Sequence, residues 1–249
     1  MIELLSGNNL RGLAAELIAT FMFVFMGIGA VGAATTAGLS LLPLDASGLI
    51  IIALGHGLGI FIGIVAIARI TGAHLNPAVT ISAIVSGNLG VIRGASYIIG
   101  QLLGSIIAVF LLELFVWTTP EAEGLGAHTL SISANEGLVI EFILTFFLVF
   151  TVFATAIDKR GNAAFAPLAI GLVVFVDHLI AVPLTGASMN PARTLGPALI
   201  HGMWDDHWVY WVGPIVGGIA ATLTYVLLFG SKDDRDRLGT LKIGSGEVN

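Results

Sequence analysis

Long apolar stretches alternate with short polar breaks along this chain, which is the pattern of a protein that crosses a membrane several times. A helix needs about 20 apolar residues to cross a hydrocarbon core of ~30 Å. Six stretches reach this length: 12–34, 48–68, 94–117, 137–157, 165–182 and 208–229. Two shorter stretches follow Ala78 and Arg193, and about ten helical residues in each would cover about 15 Å. The pattern predicts an all-α membrane protein with six transmembrane helices and two re-entrant half-helices.

The sequence also repeats internally. The phrase TGAHLNPAVT occupies residues 71–80, and TGASMNPART occupies residues 185–194. Within the first and fourth spans, Glu16 and Glu141 are each followed by Thr, Phe, Val and Phe at the same spacing. We therefore predict a single channel domain over 1–249, built from repeats at about 11–117 and 137–229. Because each repeat holds an odd number of spans, the second is inserted upside down, and the sites of such repeats lie near the bilayer midplane.

Each repeated phrase contains a triplet that can start a helix: Asn76, Pro77 and Ala78 in the first, and Asn190, Pro191 and Ala192 in the second. Asn is a good N-cap and Pro is favoured at the first helical position. Two half-helices that start at the midplane from opposite faces would point their positive ends at one place. Non-helical backbone at that depth requires surrounding protein or a water-filled cavity.

The two asparagine amides would then face this cavity as hydrogen-bond donors. A water whose oxygen is held by both donors must point its hydrogens along the pore. This orientation breaks the hydrogen-bonded chain that a proton would follow, and the positive helix ends repel cations. The arrangement predicts passage of a small neutral molecule without passage of protons.

Composition excludes several classes of protein. Only 10% of the residues are charged, whereas a soluble domain carries roughly 25%. The absence of cysteine excludes disulfides, thiol catalysis and cysteine-bound metals. The mildly acidic net charge of -6, without a basic arm, argues against nucleic acid as a partner. Because no nucleophile–base pair or metal-ligand spacing is visible, we expect no enzyme activity, no metal site and no cofactor. The polar start of the chain predicts no cleavable signal peptide.

Basic residues predict the orientation of the spans. If the six spans alternate, every lysine and arginine except Arg193 falls on the side of the N-terminus. The opposite loops, near Asp45, Glu121, Glu123 and Glu136, contain none. The positive-inside rule therefore predicts that both termini are cytoplasmic, with residues 231–249 as a flexible cytoplasmic tail. A charge that breaks the rule, as Arg193 does, is expected to serve the site.

The paired Asn-Pro-Ala triplets, their TGAHLNPAVT and NPAR contexts, the six spans and the glutamates of the first and fourth spans resemble the aquaporin (major intrinsic protein) family. The resemblance covers about residues 11–229. It implies a passive channel in the cell membrane that conducts water and excludes protons and ions. It also implies a homotetramer embedded in lipid, with one pore in each subunit and with water and small neutral solutes as its partners.

The resemblance further implies a selectivity filter of four residues: His56, His178, Ala187 and Arg193. Spacing is consistent with this, because His56 would lie about 12 Å and His178 about 8 Å below the outer surface, with Arg193 one turn outward of Asn190. Water-selective relatives usually carry Phe at the position of His56. Two histidines and an arginine make a polar constriction that favours water over glycerol. Because some relatives with His at this position also pass ammonia, ammonia stays an open alternative.

The acidic residues within the predicted spans allow two interpretations of their role. Glu16 and Glu141 could form a proton relay, or each could accept hydrogen bonds from the irregular backbone before a half-helix, and we favour this scaffold role. Asp177 could pair with a neighbouring helix or lie at the vestibule rim. A relay through these acids and the histidines would make the protein a proton-coupled transporter, which is the rival from another functional class. A facilitator for small polyols or ammonia is the closer alternative.

The histidines are also ambiguous. His56 and His178 could line the pore or make interhelical hydrogen bonds. His74 could face the cytoplasmic half of the lumen or only brace its loop. The remaining three are predicted to lie in loops: His128, His201 and His207.

Overall fold

The computed structural model describes residues 6–38, 45–115 and 124–240, and every regular element in these ranges is a helix. In chain order they are α1 (Gly7–Thr36), α2 (Ala46–Thr71), α3 (Pro77–Val85), α4 (Val91–Phe115), α5 (Ala134–Val152, continued by a π-helical turn Phe153–Ile157), α6 (Ala166–Thr185), α7 (Pro191–His201), α8 (Val209–Leu228) and α9 (Lys232–Arg237). The 6 helices α1, α2, α4, α5, α6 and α8 are long and apolar enough to cross a membrane. The predicted all-α fold, with six spans and two half-helices, is confirmed.

The helices form two halves with the same packing pattern. In the first half α1 packs against α2 and α4, and in the second α5 packs against α6 and α8. Contact between α2 and α6 joins the halves. Each half-helix packs against the last long helix of the other half, α3 against α8 and α7 against α4. The half-helices α3 and α7 are therefore held between the two halves.

Glycines allow the long helices to approach closely. A Cβ at Gly104 of α4 would collide with the carbonyl of Leu17 on α1, and a Cβ at Gly217 of α8 would collide with an α5 carbonyl in the same way. At the crossing of α2 and α6, a Cβ on Gly57 would lie 2.8 Å from the carbonyl oxygen of Gly171. Small residues at such crossings are what packing in a membrane requires, because lipid supplies no hydrophobic force between helices.

One face of the molecule carries both ends of the described chain, and we call it the terminal face. The end of α2, the start of α4, the turn after α5 and the helix α9 meet there around one cavity. The long helices alternate in direction, so that α2, α5 and α8 start at the opposite face. The half-helix α3 runs back from the centre towards the terminal face, and α7 runs back towards the opposite face.

The fifth span extends beyond its predicted end. Its predicted end is residue 182, before Pro183, but α6 continues to Thr185 with Pro183 inside its last turn. Proline removes one backbone donor and clashes with the carbonyl four residues earlier, a cost that does not stop the helix here. Gly186 ends α6 instead, with a left-handed backbone of φ 81°.

Part of the predicted tail is helical. Residues 232–237 form α9, which begins with a capping box in which Ser231 and Asp234 bond each other's backbone N–H. After α9 the N–H of Gly239 donates to the carbonyl of Val85 at 3.0 Å, which fastens the segment to the end of α3. Residues 241–249 of the predicted tail, and also Glu121 and Glu123, lie outside the described residues.

Candidate functional site

Two short non-helical segments carry the chain from the ends of α2 and α6 to the starts of α3 and α7. Gly72 and Gly186 open these segments in the left-handed region, with φ 85° and 81°. Four other residues share positive φ: Ala73 at 57°, Leu75 at 55°, Ala187 at 57° and Met189 at 54°. Such a conformation costs a non-glycine residue about 1–3 kcal/mol and persists only where the surroundings enforce it.

The carboxylate of Glu16 supports the first segment. Its Oε1 accepts hydrogen bonds from the Thr71 hydroxyl at 2.6 Å and from the N–H of His74 at 3.0 Å. Its Oε2 accepts from the N–H of Leu75 at 2.7 Å and from the side-chain amide of Gln101 at 2.8 Å. Glu16 is fully buried, and these four donors compensate for its desolvation. The backbone N–H groups of the segment therefore point at Glu16, and the backbone carbonyls of the segment point away from it.

Glu141 supports the second segment in the same manner. Its Oε1 accepts from the Thr185 hydroxyl at 2.7 Å and from the N–H of Ser188 at 2.9 Å. Its Oε2 accepts from the N–H of Met189 at 2.8 Å. A side-chain amide equivalent to that of Gln101 is missing from this set of donors among the described residues. The two carboxylates thus have the same structural relation to their segments but differ by one hydrogen bond.

The starts of α3 and α7 meet at the centre of the molecule. The amide oxygen of each asparagine caps its own helix, accepting from the N–H two residues on at 2.8 Å for Asn76 and 3.0 Å for Asn190. The amide nitrogen of Asn76 donates to the carbonyl of Met189 at 2.8 Å, and that of Asn190 donates to the carbonyl of Leu75 at 2.9 Å. An amide carries two N–H donors, so each asparagine uses one to bind the other half and keeps a second. The sequence had not indicated this reciprocal link.

Three of the predicted filter residues come together on the side of the opposite face. The imidazole rings of His56 and His178 stack with centroids 4.2 Å apart. Arg193 is buried, with Nη2 3.2 Å from His56 Nε2. Its Nη1 donates to the carbonyl of Gly126. Ala187 is fully buried in the second non-helical segment, where its N–H donates to a hydroxyl at 3.1 Å.

Hydrogen bonding fixes which imidazole nitrogens carry protons. His56 Nδ1 lies 2.9 Å from the carbonyl of Ile52, and His178 Nδ1 lies 2.8 Å from the carbonyl of Val174. A carbonyl only accepts, so both Nδ1 atoms must be protonated. Because Arg193 only donates, His56 Nε2 is its acceptor and the ring of His56 is neutral. His178 Nε2 has no hydrogen-bond partner among the described residues.

A third imidazole joins this constriction, and sequence reasoning missed its role. His128 lies in the loop between α4 and α5, as predicted, but it is buried with its Nδ1 3.0 Å from the Thr194 hydroxyl and 3.4 Å from Arg193 Nη1. Its ring also packs on Tyr210, with centroids 4.9 Å apart. Burial, and then the charge of Arg193, hold the pKa of His128 well below its ordinary value. The imidazole is therefore neutral. The sequence gives no sign of this contact, because His128 and Arg193 are 65 positions apart.

Between the centre and the terminal face lies a cavity of about 280 Å³. Its wall is mainly apolar, and includes Ile60, Ile64, Val79, Leu148, Val152 and Ile170. Asn76 and His74 supply polar groups to it. His74 also bonds the Thr80 hydroxyl through Nδ1 at 3.1 Å. His74 thus lines this cavity and also hydrogen-bonds within the segment that leads into α3.

Comparison with known proteins identifies this architecture. The model of the major intrinsic protein family matches residues 3–225. The chain belongs to this family. Aquaporin TIP2-1 of Arabidopsis thaliana is 47% identical over 228 residues, which are 89% of this chain and 88% of the relative. Probable aquaporin TIP3-2 of the same plant is 44% identical over 230 residues, covering 88% and 83% of the two chains. The X-ray structure of the aquaglyceroporin from Plasmodium falciparum matches with a TM-score of 0.78 at 25% identity, over 88% of this chain and 96% of that one.

Major intrinsic proteins are membrane channels and not enzymes, so the chain is a multi-pass channel protein. The resemblance drawn from the Asn-Pro-Ala triplets is confirmed. Within the described residues there is no group of three or more His, Asp or Glu side chains placed to hold a metal ion.

Several polar residues of this major intrinsic protein lie apart from the constriction. Asp177 is buried, and its Oδ2 has no hydrogen-bond partner among the described residues, so it neither pairs with a neighbour through that oxygen nor lies at an open rim. His201 is the last residue of α7 and not a loop residue, with its Nε2 3.5 Å from Glu113. The prediction overlooked Gly202, which directly follows His201 and ends the half-helix in the left-handed region with φ 71°. His207 lies in the turn before α8 and accepts from the Trp211 indole at 3.0 Å.

Proposed function

We propose that this major intrinsic protein is a passive channel that conducts water and excludes protons and ions. The observation that carries this proposal is the meeting of two asparagine-capped helix starts, each tied to the other half of the chain by its own amide. The pore triplets are Asn76, Pro77 and Ala78, with Asn190, Pro191 and Ala192. The curated relatives named aquaporin, at 44–47% identity, support the same function.

Proton exclusion follows from donors at the centre. The second N–H of Asn76 and of Asn190 is available to hold the oxygen of a passing water, while the positive ends of α3 and α7 repel cations. A water held in this way cannot relay a proton along the file. This is the general explanation of selectivity in water channels and is not particular to this chain. The amide link between the halves keeps both donors in place.

The constriction of His56, His178, Ala187 and Arg193 acts as the selectivity filter, and His128 belongs to it. Arg193 supplies a fixed positive charge that opposes cations. His178 Nε2 has no partner among the described residues, and in the neutral ring it is an acceptor that can bind an O–H of water. Three imidazoles and a guanidinium leave little apolar surface for the carbon backbone of glycerol, so we place polyols among the excluded solutes. The Plasmodium falciparum protein, named an aquaglyceroporin, is the more distant relative, at 25% identity.

Ammonia is a second candidate solute. An acceptor nitrogen such as His178 Nε2 suits the N–H groups of ammonia as well as the O–H groups of water. Ammonia is neutral and small, so neither the helix dipoles nor Arg193 opposes it. Ammonia is therefore a second solute that this constriction would pass, whereas conduction of polyols is the alternative that the glycerol experiment tests.

For Glu16 and Glu141 we propose a scaffold role, with His74 as a polar group in the lumen. Both carboxylates are engaged by backbone N–H groups of the non-helical segments, which orients the segments' carbonyls away from them. A proton-coupled transporter would need these acids to titrate during transport, and each loss of charge would release the segment it holds. Such a transporter would give saturable, pH-dependent flux, whereas a channel gives linear flux.

We also propose that the terminal face is cytoplasmic and that the protein forms a homotetramer in the lipid of the cell membrane, with one pore in each subunit. Arg69, Arg93, Lys159 and Arg237 all line a cavity on the terminal face, which supports this orientation by the positive-inside rule. Labelling of a single cysteine introduced at position 231 by a membrane-impermeant reagent only after lysis would support it, and labelling of intact cells would contradict it. Native mass spectrometry measures the oligomeric state.

Osmotic experiments test the proposed function. Proteoliposomes are mixed in a stopped-flow instrument with sucrose and then with glycerol. We expect fast shrinkage in both, without re-swelling in glycerol, because the constriction retains it outside. Shrinkage no faster than that of empty liposomes would contradict the water channel. Rapid re-swelling in glycerol would show a polyol facilitator instead.

A further inference from the structure

A second cavity, of about 450 Å³, opens at the terminal face. Four cationic side chains line it: Arg69, Arg93, Lys159 and Arg237. They come from four separate elements, namely the end of α2, the start of α4, the turn after α5 and α9. No carboxylate is among the described residues that line it. The fold therefore gathers positive charge at one place from distant parts of the sequence.

Most of this charge is not neutralised within the described chain. Arg237 pairs with Asp234. Arg69, Arg93 and Lys159 form no ion pair with any described residue. The Nε atom of Arg93 is buried and has no hydrogen-bond partner among the described residues. A buried, unpartnered guanidinium donor next to like charges is costly, and an anion would satisfy it.

The cavity adjoins the apolar cavity that leads to Asn76. It shares lining residues with the lumen cavity described above, among them Gly72, His74 and Ala83. His74 hydrogen-bonds to Thr80 in the first turn of α3. An anion held by the cationic side chains would thus lie over the route by which water reaches Asn76.

We propose that this cavity binds the phosphate group of a small organic phosphate, held by Arg69, Arg93 and Lys159, and that the bound anion obstructs water flow at the terminal mouth. Guanidinium groups match phosphate oxygens with paired hydrogen bonds, and a lysine adds a point charge. The volume of about 450 Å³ lies within the range of about 300–1,000 Å³ typical of small-molecule sites. The site is independent of the filter, so water conduction without phosphate does not depend on it.

The helix α9 completes the cavity wall. Its position depends on the hydrogen bond from the N–H of Gly239 to the carbonyl of Val85. Gly87, with φ 72°, lies directly against the backbone of Arg237, where a Cβ would collide with the carbonyl of that residue.

The phosphate group could belong to a soluble metabolite or to a lipid headgroup in the adjoining leaflet, and the same cations would recognise either. The experiment below separates these two sources.

The test is calorimetric titration of the full chain in detergent with ATP as a soluble organic phosphate. Separate arms use inorganic phosphate, and vesicles containing a phosphoinositide compared with vesicles of neutral lipid. The cavity variant is Arg69→Gln with Lys159→Gln. The matched control is Arg11→Gln with Lys232→Gln, which removes the same charges from exposed positions that do not line the cavity.

We expect ATP to bind the wild type, with affinity at least about tenfold weaker in the cavity variant and within about twofold in the control. Binding of phosphoinositide vesicles but not ATP, with the same dependence on the cavity, would also support the phosphate site and identify the source as lipid. An equal loss in both variants would overturn the proposal in favour of diffuse surface charge. Absence of binding by every probe would overturn it as well.

A flux measurement separates this proposal from the proposed function. ATP is trapped inside, or added outside, proteoliposomes of known orientation. We expect ATP at the terminal face to reduce water flux through the wild type at least about twofold and to leave the cavity variant unaffected. Unchanged wild-type flux under saturating ATP would refute the obstruction while the water channel itself stood. Both variants should conduct water normally without ATP, since neither touches the filter or the asparagines.

Discussion

Replacement of the two buried glutamates by glutamine should destabilise the protein unequally. In Glu→Gln one oxygen becomes an N–H₂ group, which cannot accept, and the side chain adopts the orientation that loses fewer hydrogen bonds. Each oxygen of Glu16 accepts two hydrogen bonds, so either orientation of Glu16→Gln loses two bonds to a charged group, and only the hydroxyl or side-chain amide partner can reverse to re-form a neutral one. One oxygen of Glu141 accepts only one, from Met189, so Glu141→Gln can lose a single bond.

The magnitude follows from this count. A hydrogen bond to a charged group contributes about 1.5–3 kcal/mol. Glu141→Gln should therefore lower the free energy of unfolding by about 2 kcal/mol. Glu16→Gln should lower it by about 3 kcal/mol, because re-forming one neutral hydrogen bond returns about 1 kcal/mol. The loss of negative charge weakens the retained bonds in both variants alike. The difference between the variants, about 1 kcal/mol, is the more reliable quantity because the shared effects cancel.

Unfolding by SDS from mixed micelles, followed by circular dichroism, measures these free energies. Glu113→Gln is the control, because the Glu113 side chain is 30% exposed and its one ion pair among the described residues, with His201 at 3.5 Å, is worth less than about 1 kcal/mol. If Glu141→Gln lowers the free energy of unfolding as much as Glu16→Gln does, or more, then stability does not follow the number of hydrogen bonds that each carboxylate oxygen accepts. A large loss in the control would show that the measurement responds to charge in general.

Three further results are expected. Arg193→Val should admit glycerol and raise proton leak in liposome assays, because it removes the fixed charge and bulk of the constriction, and unchanged glycerol retention would contradict its place in the filter. His128→Ala should increase glycerol uptake less than Arg193→Val does, since it removes one of the groups that contact the arginine; light scattering after a glycerol jump compares the two. Gly104→Val should prevent α4 from reaching α1 at Leu17 and cost several kcal/mol in the SDS assay; stability equal to wild type would refute the close contact.

The elements that sequence predicts well are those encoded locally. Asn followed by Pro fixes the start of α3 and of α7, because capping and the missing proline N–H act within a single turn. Apolar length identifies the long helices for the same reason, since each span must satisfy its own backbone in lipid. The pattern of Glu, Thr, Phe, Val and Phe that begins at Glu16 and again at Glu141 predicts the inverted repeat. Both non-helical segments need a carboxylate that accepts hydrogen bonds from their backbone N–H groups.

Features that depend on contacts between distant segments could not be predicted. His128 contacts Arg193 only because the segment 124–133 folds inward, and no periodicity encodes that path. The bond from each asparagine to a carbonyl of the other half likewise needs both halves in place. The helix α9 escaped prediction because its charged sequence resembles a solvated tail, although Ser231 and Asp234 form a capping box.

Simultaneous measurement of water and proton flux tests the central claim most directly. Proteoliposomes loaded with a pH-sensitive dye are exposed first to an osmotic step and then to a pH step. The account predicts water permeability far above that of empty liposomes, with proton flux equal to theirs, because the donors at Asn76 and Asn190 interrupt the proton path. Proton flux that rises in proportion to water flux would contradict it.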